Sequence, residues 1–238
     1  MLSKDTVHLM QQPPRQPVYC LTRTVRFNLP YAALGAAPQG SALAGGSNGE
    51  GGKPAMDGFG AHYTFEVRCV GRPDPGTGYL INIKDIDRAV RSGVVPMIAD
   101  AVRAGETPAA LMPAVLDETD RLLPVEVGSV MLRLSPYLTI EAVRRIEAVR
   151  TESEDAVPND QAAEVVIRQM LEFSAAHRLH VPSLPDDENA RIFGKCNNPA
   201  GHGHNYRIEP AVAVDPDKPM TVDAIERIPD AEVIERFD

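Results

Sequence analysis

Three histidines in the second half of the chain have a spacing that suits metal binding. His202 and His204 are separated by one residue in the motif GHGH. Side chains alternate between the two faces of a β-strand, so both imidazoles point the same way if this segment is extended. His177 lies at the end of the preceding predicted strand, and two neighbouring antiparallel strands would bring the three rings together. Three histidines around Zn²⁺ leave one coordination position open, which is typical of catalytic zinc sites.

Cys196 lies shortly before this motif, in a loop marked by Gly194 and Pro199. A thiol held near a divalent cation loses its proton more readily. A thiolate here could act as a general base that contributes roughly 10²–10⁴-fold in rate. The sequence leaves two other interpretations open. Cys196 can be a small buried hydrophobic residue, or a fourth zinc ligand that closes a structural site. An isolated His-x-His pair can likewise be a polar surface pair that binds no metal.

Composition argues against several classes of function. The net charge of −9 disfavours a nucleic-acid partner, because phosphate contacts need clustered Lys and Arg. No apolar run approaches the roughly 18 residues that a membrane span requires, and the N-terminus lacks a signal-peptide pattern. Three cysteines are too few for a disulfide framework, and Cys20 and Cys69 are expected to pack within strands. We therefore expect a cytoplasmic protein with no membrane partner.

The hydrophobic pattern predicts an α+β fold for residues 18–146. The predicted elements are strands over 18–29 and 62–70, helices over 85–103 and 109–122, and strands over 127–134 and 137–143. Pro96 is expected to kink the first helix. This ββααββ order produces a sheet with one face covered by two helices. Residues 1–17 are a predicted flexible tail, and the Gly-rich residues 35–60 a predicted mobile loop.

The second part of the chain begins after a charged, proline-containing segment, residues 147–162, which we predict to be a linker. Strands are expected over 164–177 and 204–214. The residues between these strands are predicted to be mostly loop, with a solvated acidic turn at 186–188. A final helix is expected over 222–236, broken at Pro229.

An internal repeat relates the two parts of the chain. RFNLPY matches EFSAAH, which pairs Phe27 with Phe173, and GFGAHYTFEV matches GHGHNYRIEP, which pairs Tyr63 with Tyr206. The first copy has no counterpart of the three histidines; the residues at their positions are Tyr31, Phe59 and Ala61. We therefore predict a degenerate copy without metal ligands over 18–146, and a second copy over 163–238 that carries the zinc site.

The stretch FSAAHRL…NARIFGKCNNPAGHGHNYRIE, from Phe173 to Glu209, closely resembles the 6-pyruvoyltetrahydropterin synthases. The cysteine, its distance to GHGHNY and the upstream histidine all occur in the order of that family. The related 6-carboxytetrahydropterin synthases of queuosine biosynthesis share this plan, although the long segment CNNPAGHGHNY is more similar to the pyruvoyl type. The resemblance implies a tunnelling fold: antiparallel ββααββ units, here duplicated, that assemble into a ring-shaped homo-oligomer.

The resemblance also implies a chemistry. In the family, Zn²⁺ is held by residues matching His177, His202 and His204, and the thiol matching Cys196 moves protons on the side chain of 7,8-dihydroneopterin triphosphate. Bound zinc would polarise the side-chain oxygens and acidify the neighbouring C–H bonds. The implied protein is a lyase that eliminates triphosphate and produces 6-pyruvoyl- or 6-carboxy-tetrahydropterin, in tetrahydrobiopterin or queuosine biosynthesis.

Part of the family plan has no match in this sequence. The family's second helix, last two strands and pterin-anchoring Glu would fall beyond residue 238, so the second copy is expected to be incomplete at its C-terminal side. Asp238 matches the Asp of a catalytic Asp-His pair whose His is absent from this sequence. An alternative function therefore stays open: a catalytically inactive relative that binds metal or pterin and acts as an assembly or binding protein.

Overall fold

The computed structural model describes residues 17–30, 60–144, 163–216, 218 and 222–237. The predicted tail, Gly-rich loop and linker fall almost entirely outside these ranges, and Asp238 lies outside them as well. The predicted domain boundaries therefore stay predictions. Within the described ranges, no helix combines the length and the apolar character needed to cross a membrane.

The first half of the described chain has the predicted order of two strands, two helical segments and two strands. The elements are β1 (Tyr19–Pro30), β2 (Gly60–Gly71), α1 (Ile83–Ala89), α2 (Val95–Ala104), α3 (Pro108–Leu122), β3 (Glu126–Ser135) and β4 (Leu138–Val143). A π-helical turn, Val90–Val94, joins α1 to α2, and Pro96 is the second residue of α2. Proline has no amide hydrogen and cannot donate a backbone hydrogen bond within the helix. This accounts for the irregularity expected at Pro96.

The second half contains more helix than the sequence pattern predicts. Its elements are β5 (Glu164–Gln169), β6 (Leu171–His177), α4 (Asp186–Phe193), β7 (His202–Ile208), β8 (Ala211–Val214), α5 (Val222–Pro229) and α6 (Glu235–Phe237). The predicted acidic turn is wrong, because its carboxylates form the first turn of α4, where the helix dipole favours negative charge. At the predicted break, α5 ends at Pro229 and a π-helical turn, Asp230–Ile234, joins it to α6, so the chain stays helical beyond the proline.

The strands form one antiparallel sheet in the order β1-β2-β3-β4-β5-β8, and a separate two-stranded sheet of β6 and β7. Strand β5, from the second half, pairs directly with β4 from the first half, with Ile140 opposite Ile167. Apolar side chains from both halves share one core against the helices; among them are Phe65, Leu132, Ile140, Ala142, Val165 and Ile167. The two halves are therefore joined by a continuous sheet and a continuous core.

The strands predicted over 164–177 and 204–214 are each divided in two, at Met170 and at Pro210. Both resulting pairs nevertheless follow one register, since Val165 lies opposite Val214 and Leu171 lies opposite Ile208. Pro210 cannot donate to the ladder. The amide of Met170 instead donates to the carbonyl of Tyr137, at 2.7 Å. The prediction of two uninterrupted strands is wrong, and one interrupted ribbon takes their place.

The repeated aromatic residues occupy equivalent places in the two halves. Phe27 lies opposite Tyr63 across β1 and β2, and their ring centroids are 5.6 Å apart. Phe173 lies opposite Tyr206 across β6 and β7, with ring centroids 5.2 Å apart. Phe27 and Phe173, which the repeat matches, thus each lie opposite the tyrosine of their own half, Tyr63 or Tyr206.

Candidate metal centre

The three histidines converge at the open end of the β6–β7 ribbon. His177 is the last residue of β6 and lies opposite His202, the first residue of β7. His204 lies two residues further along β7, on the same face as His202. One potential ligand atom from each ring lies within 4.8 Å of the others, and the ring centroids are 4.5 to 4.8 Å apart. Strand alternation and cross-strand pairing thus bring the predicted ligands together.

The protonation equilibrium of His202 suits a metal ligand. Loss of hydration lowers the pKa of His202, and positive charge on His177 and His204 lowers it further. A lowered pKa keeps the imidazole neutral at neutral pH, and neutral imidazole is the form that binds metals. His177 and His204 are exposed, so the group is open to ions in solution.

The donor set also fits Zn²⁺ on structural grounds. The Nδ1 atom of His202 is buried and has no hydrogen-bond partner within the described part of the chain. Buried polar atoms normally have a partner, and an unmet one costs about 1–3 kcal/mol. Imidazole nitrogens are common ligands of zinc, and three of them leave an open position for water or substrate. The orphaned nitrogen therefore supports a bound ion at this group.

Cys196 lies on a separate segment beside the ribbon. It is the third residue of a 3₁₀-helical turn, Gly194–Asn197, that follows α4, and it is partly exposed. Its carbonyl accepts a hydrogen bond from the amide of Leu179, just past His177, at 2.9 Å. Among the described residues, the group of mutually close ligand atoms contains the three histidines and not Cys196. The role of its thiol stays a prediction.

Gly201 sets the approach of the chain to the first residue of β7. It has φ +76°, a left-handed conformation that non-glycine residues rarely adopt. A β-carbon at this position would also lie 3.2 Å from the carbonyl oxygen of His177. The tight turn before His202 therefore requires glycine.

A family model described as 6-pyruvoyl tetrahydropterin synthase matches residues 166–238 of this chain. The 6-pyruvoyl tetrahydrobiopterin synthase of Homo sapiens is 55% identical over 42 residues, which cover 18% of this chain and 29% of that protein. The Drosophila melanogaster synthase is 68% identical over 37 residues, covering 16% and 22%. The Poecilia reticulata synthase is 56% identical over 46 residues, covering 19% and 31%.

The resemblance to 6-pyruvoyl tetrahydropterin synthases is thus confirmed for the part of the chain that carries the histidines. The chain spans less than a third of the length of these three relatives. A solved structure of the Caenorhabditis elegans 6-pyruvoyl tetrahydropterin synthase aligns with 51% of this chain and 92% of its own, at 13% identity. The TM-score is 0.31, which is too low to establish a shared fold.

Tyr206 is a site residue that the sequence analysis used only as a marker of the repeat. Its hydroxyl lies 3.3 Å from Nδ1 of His177. A hydrogen bond to one ring nitrogen of a metal-binding histidine fixes the tautomer and the ring orientation, so the other nitrogen faces the metal. Its position two residues after His204 on the same strand was the signal that could have identified it.

Replacing Tyr206 with Phe is expected to weaken zinc binding by about tenfold, because the loss of such outer hydrogen bonds costs about 10–100-fold in metal affinity. The aromatic ring that stacks on Phe173 is kept, so only the hydroxyl is removed. The dissociation constant can be measured by competition with a chromophoric chelator. Tyr63→Phe, at the matched position of the first ribbon, is the control and should bind zinc as the wild type does. An unchanged constant for Tyr206→Phe would contradict this assignment.

The other two cysteines differ from each other. Cys69 is buried, as expected, and burial raises its pKa to about 11. Cys20 is exposed and accepts a hydrogen bond from Nε of Arg68 at 2.8 Å, so its predicted packing role is wrong. The alternation of β1 places Cys20 on the face opposite Leu21, whose side chain packs against the core.

Proposed function

We propose that the chain acts as a zinc-dependent pterin lyase. It would eliminate triphosphate from 7,8-dihydroneopterin triphosphate to produce 6-pyruvoyl-tetrahydropterin, or would also release two side-chain carbons as acetaldehyde to produce 6-carboxy-tetrahydropterin. The observation that carries this proposal is the convergence of His177, His202 and His204, with one ligand atom from each within 4.8 Å. The names of two similar proteins, the Homo sapiens and Drosophila melanogaster synthases, support a pterin substrate.

Each site residue has a role in this proposal. The three histidines hold Zn²⁺ and leave one position open for the oxygen atoms of the substrate side chain. Bound zinc would polarise those oxygens and make the neighbouring C–H bonds more acidic. Cys196 accepts a proton from such a carbon as a general base and returns one later as a general acid. Asp238, which lies outside the described residues, would assist this proton transfer.

The fold supports a wider proposal about assembly. Phe27 with Tyr63, and Phe173 with Tyr206, form equivalent cross-strand pairs, which supports a duplicated tunnelling fold. The first copy would supply scaffold, because the position of His204 is occupied there by Ala61. We further propose that several chains assemble into a ring and that the protein is cytoplasmic, with no nucleic-acid or membrane partner.

The direct test is to incubate protein of known zinc content with 7,8-dihydroneopterin triphosphate and analyse the products by mass spectrometry. We expect inorganic triphosphate together with a 6-pyruvoyl- or 6-carboxy-tetrahydropterin, and the product names the type of lyase. Cys20→Ala removes an exposed thiol on β1, outside the proposed site, and this variant should react as the wild type does. Full zinc occupancy without turnover would refute the lyase and favour an inactive metal-binding or pterin-binding relative.

A further inference from the structure

We propose that Arg178 and Asn197 form a clamp that positions the Cys196 thiol relative to the metal ligand His177. The inference rests on the proposed function, because it gives these two residues a part in the same reaction. Arg178 directly follows His177 in the chain, and Asn197 directly follows Cys196. A contact between Arg178 and Asn197 therefore sets the distance between His177 and Cys196.

The clamp is built from one bifurcated hydrogen bond of the Arg178 guanidinium, because Nε carries a single hydrogen and contacts two acceptors. Nε of Arg178 donates to the backbone carbonyl of Asn197 at 2.9 Å and to its side-chain Oδ1 at 3.0 Å. Hydrogen bonds from a charged donor are stronger than those between neutral groups. Because the same nitrogen contacts both the backbone and the side chain of Asn197, it restrains the position of the residue and its rotamer together.

Two further contacts join the same segments. The amide of Leu179 donates to the carbonyl of Cys196 at 2.9 Å. Nδ1 of His180 lies 3.2 Å from Oδ1 of Asn197. Asn197 itself is 9% exposed, so it is held in a protected position. Three consecutive residues after His177 thus each contact the Cys196–Asn197 dipeptide, which leaves the thiol-bearing turn little freedom to move relative to the ribbon.

The partner of Arg178 is unusual for this chain. Many of its other arginines pair with carboxylates, as Arg191 pairs with Glu188 one turn away on α4. Within the described residues, Arg178 has no carboxylate within ion-pair distance and contacts an amide side chain and a carbonyl instead. An ion pair with an exposed carboxylate would not restrain the backbone of the residue that follows Cys196. The contacts of Arg178 define a fixed geometry beside the reactive thiol.

The loop that follows His180 is held by contacts that do not involve Arg178. Asn189, which is fully buried, accepts a hydrogen bond from the amide of Val181 and donates to its carbonyl. Its amide group also donates to the carbonyls of Leu184 and Pro185. The loop after His180 therefore keeps its shape without Arg178. Loss of the clamp is expected to change the placement of Cys196 rather than to unfold the loop.

Four variants of the full chain, loaded with zinc, test the clamp. Arg178→Ala removes the donor, and Asn197→Leu removes the side-chain acceptor at similar size. Asn197→Asp keeps an acceptor oxygen and should restore the clamp. Arg191→Ala removes an arginine of α4 that has no part in it. We expect Arg178→Ala and Asn197→Leu to keep their zinc and to lose about 10–100-fold in kcat with little change in KM, because a misplaced catalytic group costs about that much.

A second readout does not depend on turnover. The rate at which iodoacetamide alkylates Cys196 can be followed by peptide mass spectrometry, with exposed Cys20 as the internal reference. Loss of the clamp is expected to change the Cys196 rate by about threefold or more, because the turn opens more often. The Cys20 rate should stay constant. Asn197→Asp and Arg191→Ala should both match the wild type.

The outcomes separate this inference from the proposed function. If the wild type shows no turnover, the lyase proposal fails, while the alkylation rates still decide whether the clamp exists. Wild-type alkylation of Cys196 in both Arg178→Ala and Asn197→Leu would overturn the clamp. Changed alkylation with wild-type kcat would overturn its role in positioning the thiol for the reaction. If Arg178→Ala fails to fold, the comparison of Asn197→Leu with Asn197→Asp decides the question alone.

Discussion

Replacement of both His202 and His204 by alanine is expected to lower the zinc content from about one ion per chain to nearly none. The remaining ligand, His177, would offer a single imidazole nitrogen, and one neutral nitrogen does not hold Zn²⁺ against dialysis. Zinc can be quantified by inductively coupled plasma mass spectrometry after dialysis, with circular dichroism to confirm that the chain is folded.

A matched control exists among the other histidines. His180→Ala changes a histidine in the same half of the chain that lies outside the group of close ligand atoms. It should retain its zinc, although it loses a contact with Asn197. If the double variant still held one ion per chain, the metal would bind elsewhere, and the proposed centre would be wrong.

Replacement of Cys196 by alanine is expected to lower kcat by roughly 10²–10⁴-fold, the contribution typical of a positioned general acid or base. Zinc content should not change, because the close ligand atoms found in the described residues belong to the three histidines. The measurement combines initial rates of triphosphate release with zinc analysis of the same sample. Cys20→Ala should retain both the rate and the zinc.

The two alternatives for Cys196 predict different results. Loss of zinc together with the thiol would indicate a fourth ligand and a closed structural site. An unchanged rate with unchanged zinc would indicate that Cys196 is a packing residue. The variant therefore separates all three interpretations that the sequence left open.

The convergence of the three histidines could be predicted from the sequence because their placement depends on two simple regularities. Strand alternation puts His202 and His204 on one face, and antiparallel pairing puts His177 opposite His202. The interruption at Pro210 was harder to predict, because a proline at a strand edge is tolerated and only the sheet context shows where the ladder stops.

The segment around Cys196 was less predictable. Helix α4 is short, and most of its residues are polar, so it lacks the apolar period by which helices are recognised. The contact of Arg178 with Asn197 joins residues 19 positions apart through one guanidinium nitrogen. No periodic pattern encodes such a pair, since it depends on how a loop returns to the end of a strand.

Strands β4 and β5 pair with each other and join the two halves of the chain. The same halves are also linked covalently, because they belong to one polypeptide. When such a strand contact forms between separate molecules, its population depends on their concentration, and dilution separates them. Within one chain the second strand is present at a fixed effective concentration, set by the length of the connecting segment. The six-stranded sheet, whose strands β5 and β8 flank the histidine ribbon in the chain, therefore keeps its β4–β5 junction at any expression level, whatever larger assembly the chains form.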